Sequence, residues 1–368
     1  MNVLKNYNYF KMKCLTIIGA RPQFVKAAVV SRAFAKVGNI EEVIVHTGQH
    51  YDGNMSAVFF QEMSIPEPKY NLGISGLTHG AMTGRMMEQI EAVMLQERPD
   101  WVLVYGDTDS TLAGALAASK LHLRLAHVEA GLRSFNMQMP EEINRILTDR
   151  VSNLLFCPTQ TAIDNLRREG YDNIDTQIVR TGDVMYDAAL FYSSSARPPQ
   201  TELPEHFILC TLHRAENTDT PEVLAALMQG LETVSAKHLP VVLPLHPRTR
   251  AKLEAMGYNR AASPIRFIEP VGYFEMVWLL QHCSLVMTDS GGVQKEAFFF
   301  RRPCVTLRNE TEWVELVAGG YNRLAGSCPD EITAAAEAML AARPDYSVPL
   351  YGDGKSGEAI VQQLRMQQ

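Results

Sequence analysis

The stretch SLVMTDSGGVQKEAFFF, Ser284 to Phe300, decides the fold class. A short apolar run, Ser284 to Met287, meets a Ser-Gly-Gly corner, and a helical pattern follows that ends in Phe298-Phe299-Phe300. Glycines at a strand-to-helix corner allow close backbone approach, and the exposed N–H groups of a helix start attract an anion. Ser290, Gly291 and Gly292 are therefore candidates to hold a phosphate, with the carboxylate of Glu296 one turn further on. The same residues also suit an ordinary βα turn, because Ser and Gly are common turn formers.

The same unit recurs along the chain. Branched apolar runs precede a Gly-rich or polar turn and then a helical pattern at Cys14 to Ile18, Glu42 to Val45, Trp101 to Val104, Leu125 to Val128, Leu154 to Phe156, Phe207 to Cys210 and Val241 to Pro244. Strands alternating with helices predict an α/β chain with parallel sheets covered on both faces. The alternation pauses at Ser193 to Glu205, where Ser, Pro and polar residues cluster, and the domain junction is expected slightly earlier, after Thr181-Gly182-Asp183. This gives a first domain over 1–183 and a second from 184 on. Two open α/β domains are expected to leave a crevice lined by strand C-terminal ends and helix N-termini, which is where a substrate belongs.

Composition narrows the partners. The chain has 368 residues, 46% of them hydrophobic and 20% charged, and its net charge of −7 offers no general nucleic-acid or anionic-membrane surface. No stretch approaches the roughly 20 apolar residues of a membrane span. The six cysteines never form C-x-x-C and mostly neighbour apolar residues, so buried thiols are expected. No signal-peptide core follows the N-terminal residues, which predicts a cytoplasmic protein. Met1 to Lys11 reads as an extension ahead of the first strand, with Met12 as an alternative start.

Charged groups gather just past strand ends. Gly19-Ala20-Arg21-Pro22-Gln23-Phe24-Val25-Lys26 places Arg21 and Lys26 near a helix start, which suits an anionic ligand as well as surface salt bridging. Neither G-x-G-x-x-G nor G-x-x-x-x-G-K-[ST] occurs. Asp107 and Glu129 follow adjacent strands and are acid or base candidates, although Asp107 also suits a helix cap and Glu129 an ion pair with Arg133. Glu141 opens a helix at Pro140-Glu141-Glu142, where acids also simply favour the helix dipole. His213-Arg214 and His246 follow two further strands and suit phosphate handling or acid–base work. No His or Cys spacing fits a metal.

Taken in order, GARPQFVK, YGDTDST, HVEAGLR, PEEINR, LHRAEN and TDSGGVQKE resemble the non-hydrolysing UDP-N-acetylglucosamine 2-epimerase family, and the likeness covers nearly the whole chain from Met12 through YGDGKSGEAI. It implies the two-domain GT-B fold of two Rossmann-like domains, with the C-terminal helix, residues 356–368, crossing back to complete the first domain and leaving 184–355 as the second. It also implies a homodimer and no cofactor. By the resemblance, Ser290 and Gly291 hold the UDP diphosphate and Glu296 the ribose hydroxyls. Arg21 and Lys26 contribute to the nucleotide-sugar site, and Asp107, Glu129, Glu141 and His213 match the family's catalytic positions.

The C2 hydrogen of a 2-acetamido sugar is not next to a carbonyl, so inversion needs transient oxidation or elimination of a leaving group. Oxidation would need a nicotinamide site, whose glycine fingerprint is missing. Elimination of UDP needs only cations and amides for the diphosphate and a carboxylate for the C2 proton, followed by re-addition through a 2-acetamidoglycal. Competing readings are a hydrolysing relative, a GT-B glycosyltransferase and a non-catalytic nucleotide-sugar sensor. The acids of HVEAGLR and PEEINR speak against the last two.

Two departures bear on the substrate. Where many family members carry Thr-Glu-Arg-Pro-Glu, this chain has Thr311-Glu312-Trp313-Val314-Glu315, and GARPQ replaces the commoner GTRPE. Both look more like the branch acting on UDP-2,3-diacetamido-2,3-dideoxyglucuronate for surface polysaccharides such as lipopolysaccharide. Arg133, Arg214 or His246 is expected to meet the sugar carboxylate. An allosteric substrate site would use Gln49, His50 and Arg85, whereas Asp52 stands where a glutamine is usual.

Overall fold

The structure is a computed structural model describing residues 11–49 and 65–367. The chain divides into two compact units, one running up to Ala188 and taking in the chain from Leu350 on, the other Ala189–Pro349.

The first unit is built on a seven-stranded parallel sheet. Its strands are β1 Met12–Ile18, β2 Ile40–His46, β3 Tyr70–Asn71, β4 Trp101–Tyr105, β5 Leu125–Val128, β6 Leu154–Cys157 and β7 Gln177–Arg180, in the order β3-β2-β1-β4-β5-β6-β7. All five residues of β4 are buried, as a central strand covered on both faces requires. The chain reverses its direction of winding between β1 and β4, so the ends of these two strands form the switch point of the sheet.

The second unit repeats the plan with six parallel strands. These are β8 Ile208–Thr211, β9 Val241–Pro244, β10 Arg266–Ile268, β11 Leu285–Thr288, β12 Cys304–Thr306 and β13 Asn322–Leu324, ordered β10-β9-β8-β11-β12-β13. Its switch point lies between β8 and β11. The opening stretch therefore forms the strand and helix beside that point, β11 and helix Gly291–Phe299. The fold is of the GT-B type, with two Rossmann-like domains.

The C-terminal helix, Ser356–Met366, belongs to the first unit, where it buries Ile360, Val361 and Leu364 and packs on helix Arg21–Val37. Gly357 lies so close to Val29 that an added Cβ would stand 2.7 Å from Val29 Cγ1 and 3.1 Å from its carbonyl oxygen. The returning chain is also tied to the start of helix Val184–Tyr192. Asp183 N donates to Tyr351 O at 2.9 Å, and Gly357 N donates to Asp187 Oδ2 at 2.9 Å. These bonds keep residues 184–188 with the first unit, so the division falls a few residues past Asp183 and the return begins at Leu350.

Five cysteines are buried, and Cys328 is exposed at the start of helix Pro329–Ala341, contrary to the expectation for all six. Among the described residues no helix is long and apolar enough to cross a membrane.

Candidate active site

At the first switch point, β1 ends in Gly19 and leads into helix Arg21–Val37. A Cβ on Gly19 would stand 2.0 Å from Thr47 Oγ1 and 2.3 Å from Ser110 Oγ, so only glycine lets the corner pass between these hydroxyls. Gln23, 1% exposed, then joins the two strand ends. Its Oε1 accepts from Gly19 N at 2.8 Å and Ala20 N at 3.0 Å, while its Nε2 donates to Tyr105 O at 2.8 Å, Thr111 Oγ1 at 2.9 Å and Thr108 Oγ1 at 3.0 Å. A carboxylate could accept the first pair but could not donate to Tyr105 O. The glutamine of GARPQ is thus a two-sided clamp.

One turn on, Lys26 forms an ion pair with Glu129, the residue after β5, whose backbone is left-handed at φ 74°. Lys26 and Glu129 are 10% and 9% exposed in their side chains, so the pair is largely withdrawn from water. Asp107 is held from the helix Pro140–Val151: Arg145 pairs with its carboxylate and Asn144 Nδ2 donates to its carbonyl at 2.9 Å. Glu141 is exposed at the start of that helix. Its neighbour Glu142 is fully buried and accepts from Ser134 N at 3.0 Å, Phe135 N at 2.9 Å and Arg145. Burial raises the Glu142 carboxyl, but these donors hold it below the usual glutamate value.

Beneath Asp107 and Glu129 lies a buried relay. His127 faces Gly106 O with Nε2 and Asp149 Oδ1 with Nδ1, both at 2.7 Å, and Asp149 Oδ2 accepts from Arg133 at 2.7 Å and Gly131 N at 3.1 Å. Burial opposes the charge on Asp149, yet His127 and Arg133 keep its carboxyl below the ordinary value. The expectation that Arg133 meets a sugar carboxylate is corrected here. Arg133 is 2% exposed, and its guanidinium already holds both Glu169 oxygens at 2.7 and 2.8 Å, Asp149 Oδ2 and Leu132 O. Glu129 pairs with Lys26, so the alternative pairing with Arg133 is not the one formed.

The second switch point is organised by Asp289, the residue after β11. Its Oδ2 accepts from His213 N at 2.9 Å, Arg214 N at 2.8 Å and Asn217 Nδ2 at 3.3 Å, and its Oδ1 faces His213 Nδ1 at 3.2 Å. Burial pushes this carboxyl up, but His213 and the turn N–H groups hold it below its ordinary value. His213 itself is 43% exposed, with the exposed His246 ring 6.0 Å away at the end of β9. Ser290 caps helix Gly291–Phe299, and Gly292 is exposed beside it.

A Cβ on Gly291 would stand 2.2 Å from Glu312 Oε1. Glu312 is anchored by Arg308 at 3.1 Å, Arg308 lies 3.4 Å from Glu216, and Glu216 lies 3.8 Å from Arg214. Trp313, where an arginine was the usual residue, is 3% exposed and has the Lys295 ammonium 4.1 Å from its ring centroid. The tryptophan occupies that position as an apolar cover on a buried lysine. Glu296 is 8% exposed on the same helix.

The sequence profile described as UDP-N-acetylglucosamine 2-epimerase matches residues 32–365. The chain belongs to the UDP-N-acetylglucosamine 2-epimerase family. It is 57% identical over 354 residues, 96% of this chain and 99% of the other, to the UDP-2,3-diacetamido-2,3-dideoxy-D-glucuronate 2-epimerase of Pseudomonas aeruginosa. The crystal structure of the Methanocaldococcus jannaschii UDP-GlcNAc 2-epimerase in complex with UDP-GlcNAc and UDP matches with a TM-score of 0.88 at 43% identity, covering 96% of this chain and 100% of that one. The Neisseria meningitidis UDP-GlcNAc 2-epimerase bound to UDP-GlcNAc matches with a TM-score of 0.86 at 28% identity, covering 96% and 100%.

The protein is therefore an isomerase, a 2-epimerase of UDP-sugars, and the expected fold and reaction class both hold. In this epimerase the first switch point gathers Lys26, Asp107 and Glu129, and the second gathers His213, Arg214, His246, Ser290, Gly291 and Gly292. The Arg21 side chain, His50 and Asp52 lie outside the described residues. Gln49 Oε1 accepts from Ser110 N at 3.0 Å and Ser110 Oγ at 2.6 Å, and Arg85 is exposed. Sequence reading passed over Gln23, His127, Arg145, Asp149 and Asp289. Each acts on a partner at least 18 positions away in sequence, so no local spacing announces its role; the only signal was that Gln23, His127, Arg145 and Asp289 stand inside the quoted motifs.

Proposed function

We propose that the substrate is UDP-2,3-diacetamido-2,3-dideoxyglucuronate, inverted at C2 to the manno form by loss and re-addition of UDP. The observation that carries this reading is the 57% identity, end to end, with the Pseudomonas aeruginosa protein of that name, against 43% for the UDP-GlcNAc-bound Methanocaldococcus structure. The buried Trp313 over Lys295 supports it, since it removes a cation expected near a UDP-N-acetylglucosamine. With Arg133 committed to Glu169 and Asp149, Arg214 and His246 are the groups proposed for the sugar carboxylate.

In this mechanism Ser290, Gly291 and Gly292 receive the diphosphate at a helix N-terminus, and Glu296 accepts from the ribose hydroxyls. Arg21 and Lys26 add positive charge for the nucleotide-sugar. Among the carboxylates Asp107, Glu129 and Glu141, one takes the C2 proton from one face and another returns a proton to the opposite face, and His213 assists at the departing UDP. No cofactor enters. A homodimer in the cytoplasm, feeding surface polysaccharide synthesis, completes the reading.

Proton NMR in D₂O tests it, with UDP-2,3-diacetamidoglucuronate and UDP-N-acetylglucosamine run in parallel. The C2 signal of the first should vanish faster as the manno-configured product appears. Faster exchange of UDP-N-acetylglucosamine would reassign the substrate. Glu129→Gln should abolish exchange with UDP affinity kept within a few fold, and surviving exchange would make Glu129 structural.

A further inference from the structure

Asp289 has two oxygens with different work. Oδ2 is taken up by the turn after β8, through His213 N, Arg214 N and Asn217 Nδ2. Oδ1 is the oxygen left over, and it faces the His213 imidazole at 3.2 Å. The carboxylate is fully buried and rigidly placed, because Asp289 N also donates to Thr211 O at 3.3 Å. Oδ1 makes no hydrogen bond of good geometry here, but an ionised carboxylate only accepts, so a bond across this 3.2 Å gap requires the hydrogen to sit on Nδ1.

We propose that Asp289 is a positioning residue for the epimerase reaction, holding His213 with Nδ1–H turned inward so that Nε2 is the nitrogen presented to substrate. This rests on His213 acting at the reacting sugar-nucleotide. Asp289 directly precedes Ser290, so one buried group fixes both the proton inventory of the histidine and the corner that receives the diphosphate. The His246 ring, just past β9, lies 6.0 Å from the His213 ring, and the charged residues that follow His213 on its own turn are Arg214 and Glu216, which lie 3.8 Å from each other. None of them offers a second buried carboxylate to Nδ1 among the described residues.

Asp289→Asn separates positioning from bracing. The asparagine carbonyl can keep the Oδ2 bonds to the turn, whereas its amide is a donor at the Oδ1 position and forces Nδ1 to accept. The proton then moves to Nε2. Turnover should fall at least about 100-fold while UDP affinity stays within about threefold. Long-range proton–nitrogen spectra of histidine-labelled protein, with His213 assigned from H213Q, should show Nδ1 protonated in the parent and only Nε2 protonated in D289N.

A parent ring protonated only at Nε2 overturns the proposal, and so does a D289N enzyme that turns over within about threefold of the parent. The first of these needs no variant to fold. H213Q separates the two levels: if it is inactive while D289N is active, only the role of Asp289 falls. A fully active H213Q withdraws the catalytic reading of His213 and the proposal with it.

Discussion

Arg133 sets the scale at which single charges matter in this protein. It is buried against Asp149 and Glu169, and removing it strands a fully buried carboxylate that His127 and one backbone N–H must then satisfy alone. Breaking such a pair by deleting one partner costs roughly 3–5 kcal/mol. Arg133→Met should therefore lower the urea midpoint sharply while the folded fraction keeps its KM for the UDP-sugar. A raised KM with unchanged stability would return Arg133 to the substrate. The sequence could name HVEAGLR but not the inward turn of its arginine, because the partner Glu169 lies 36 residues away. PEEINR poses the same difficulty in miniature. Successive helix positions diverge by about 100°, and Glu141 takes the exposed direction while Glu142 takes the buried one. Nothing in the spelling of two adjacent glutamates tells them apart.

Among the elements, legibility follows burial. Most inner strands were readable because a parallel strand covered on both faces is a continuous apolar run, as β4 and β5 are, although the three-residue β12, fully buried, was too short to stand out. The edge strands were not: β3 has two residues, and β7 is only partly buried along its length. The C-terminal helix could be read as a helix from its apolar stripe, but its return to the first unit came only from family likeness, since a stripe does not say what it covers. Gly357 makes that docking testable. Its missing Cβ leaves room for Val29, including a backbone oxygen that cannot swing away. Gly357→Ala overpacks the contact and should cost about 1–3 kcal/mol, with earlier loss of hydrogen-exchange protection over Ser356–Met366 than in the parent. Unchanged protection there would mean that the helix has room to shift and that the close approach is not needed.

At the scale of the whole molecule, the carboxylates that organise both units also make the fold acid-labile. Glu97 bonds Lys69, Tyr70 and Lys13 and is held down to about 2 by them. Glu142, Asp149 and Asp289 are lowered by their own donors, while burial raises Glu42 and Asp187. A carboxylate lowered in the folded state adds stability above its unfolded value, and that stability is lost as pH falls through the folded value. The two raised groups work the other way, gaining on acidification, but they are outnumbered. The urea midpoint should thus decline as pH drops from 4.5, the ordinary glutamate value, through about 2, where Glu97 is half protonated. Glu97→Gln isolates one contributor. At pH 6 the variant should be less stable than the parent, and the gap should narrow as pH falls through about 2, where half of the parent's Glu97 is protonated, and close below it. Curves that stay parallel over the whole range would mean that Lys13, Lys69 and Tyr70 hold Glu97 no better in the folded protein than water does in the unfolded one.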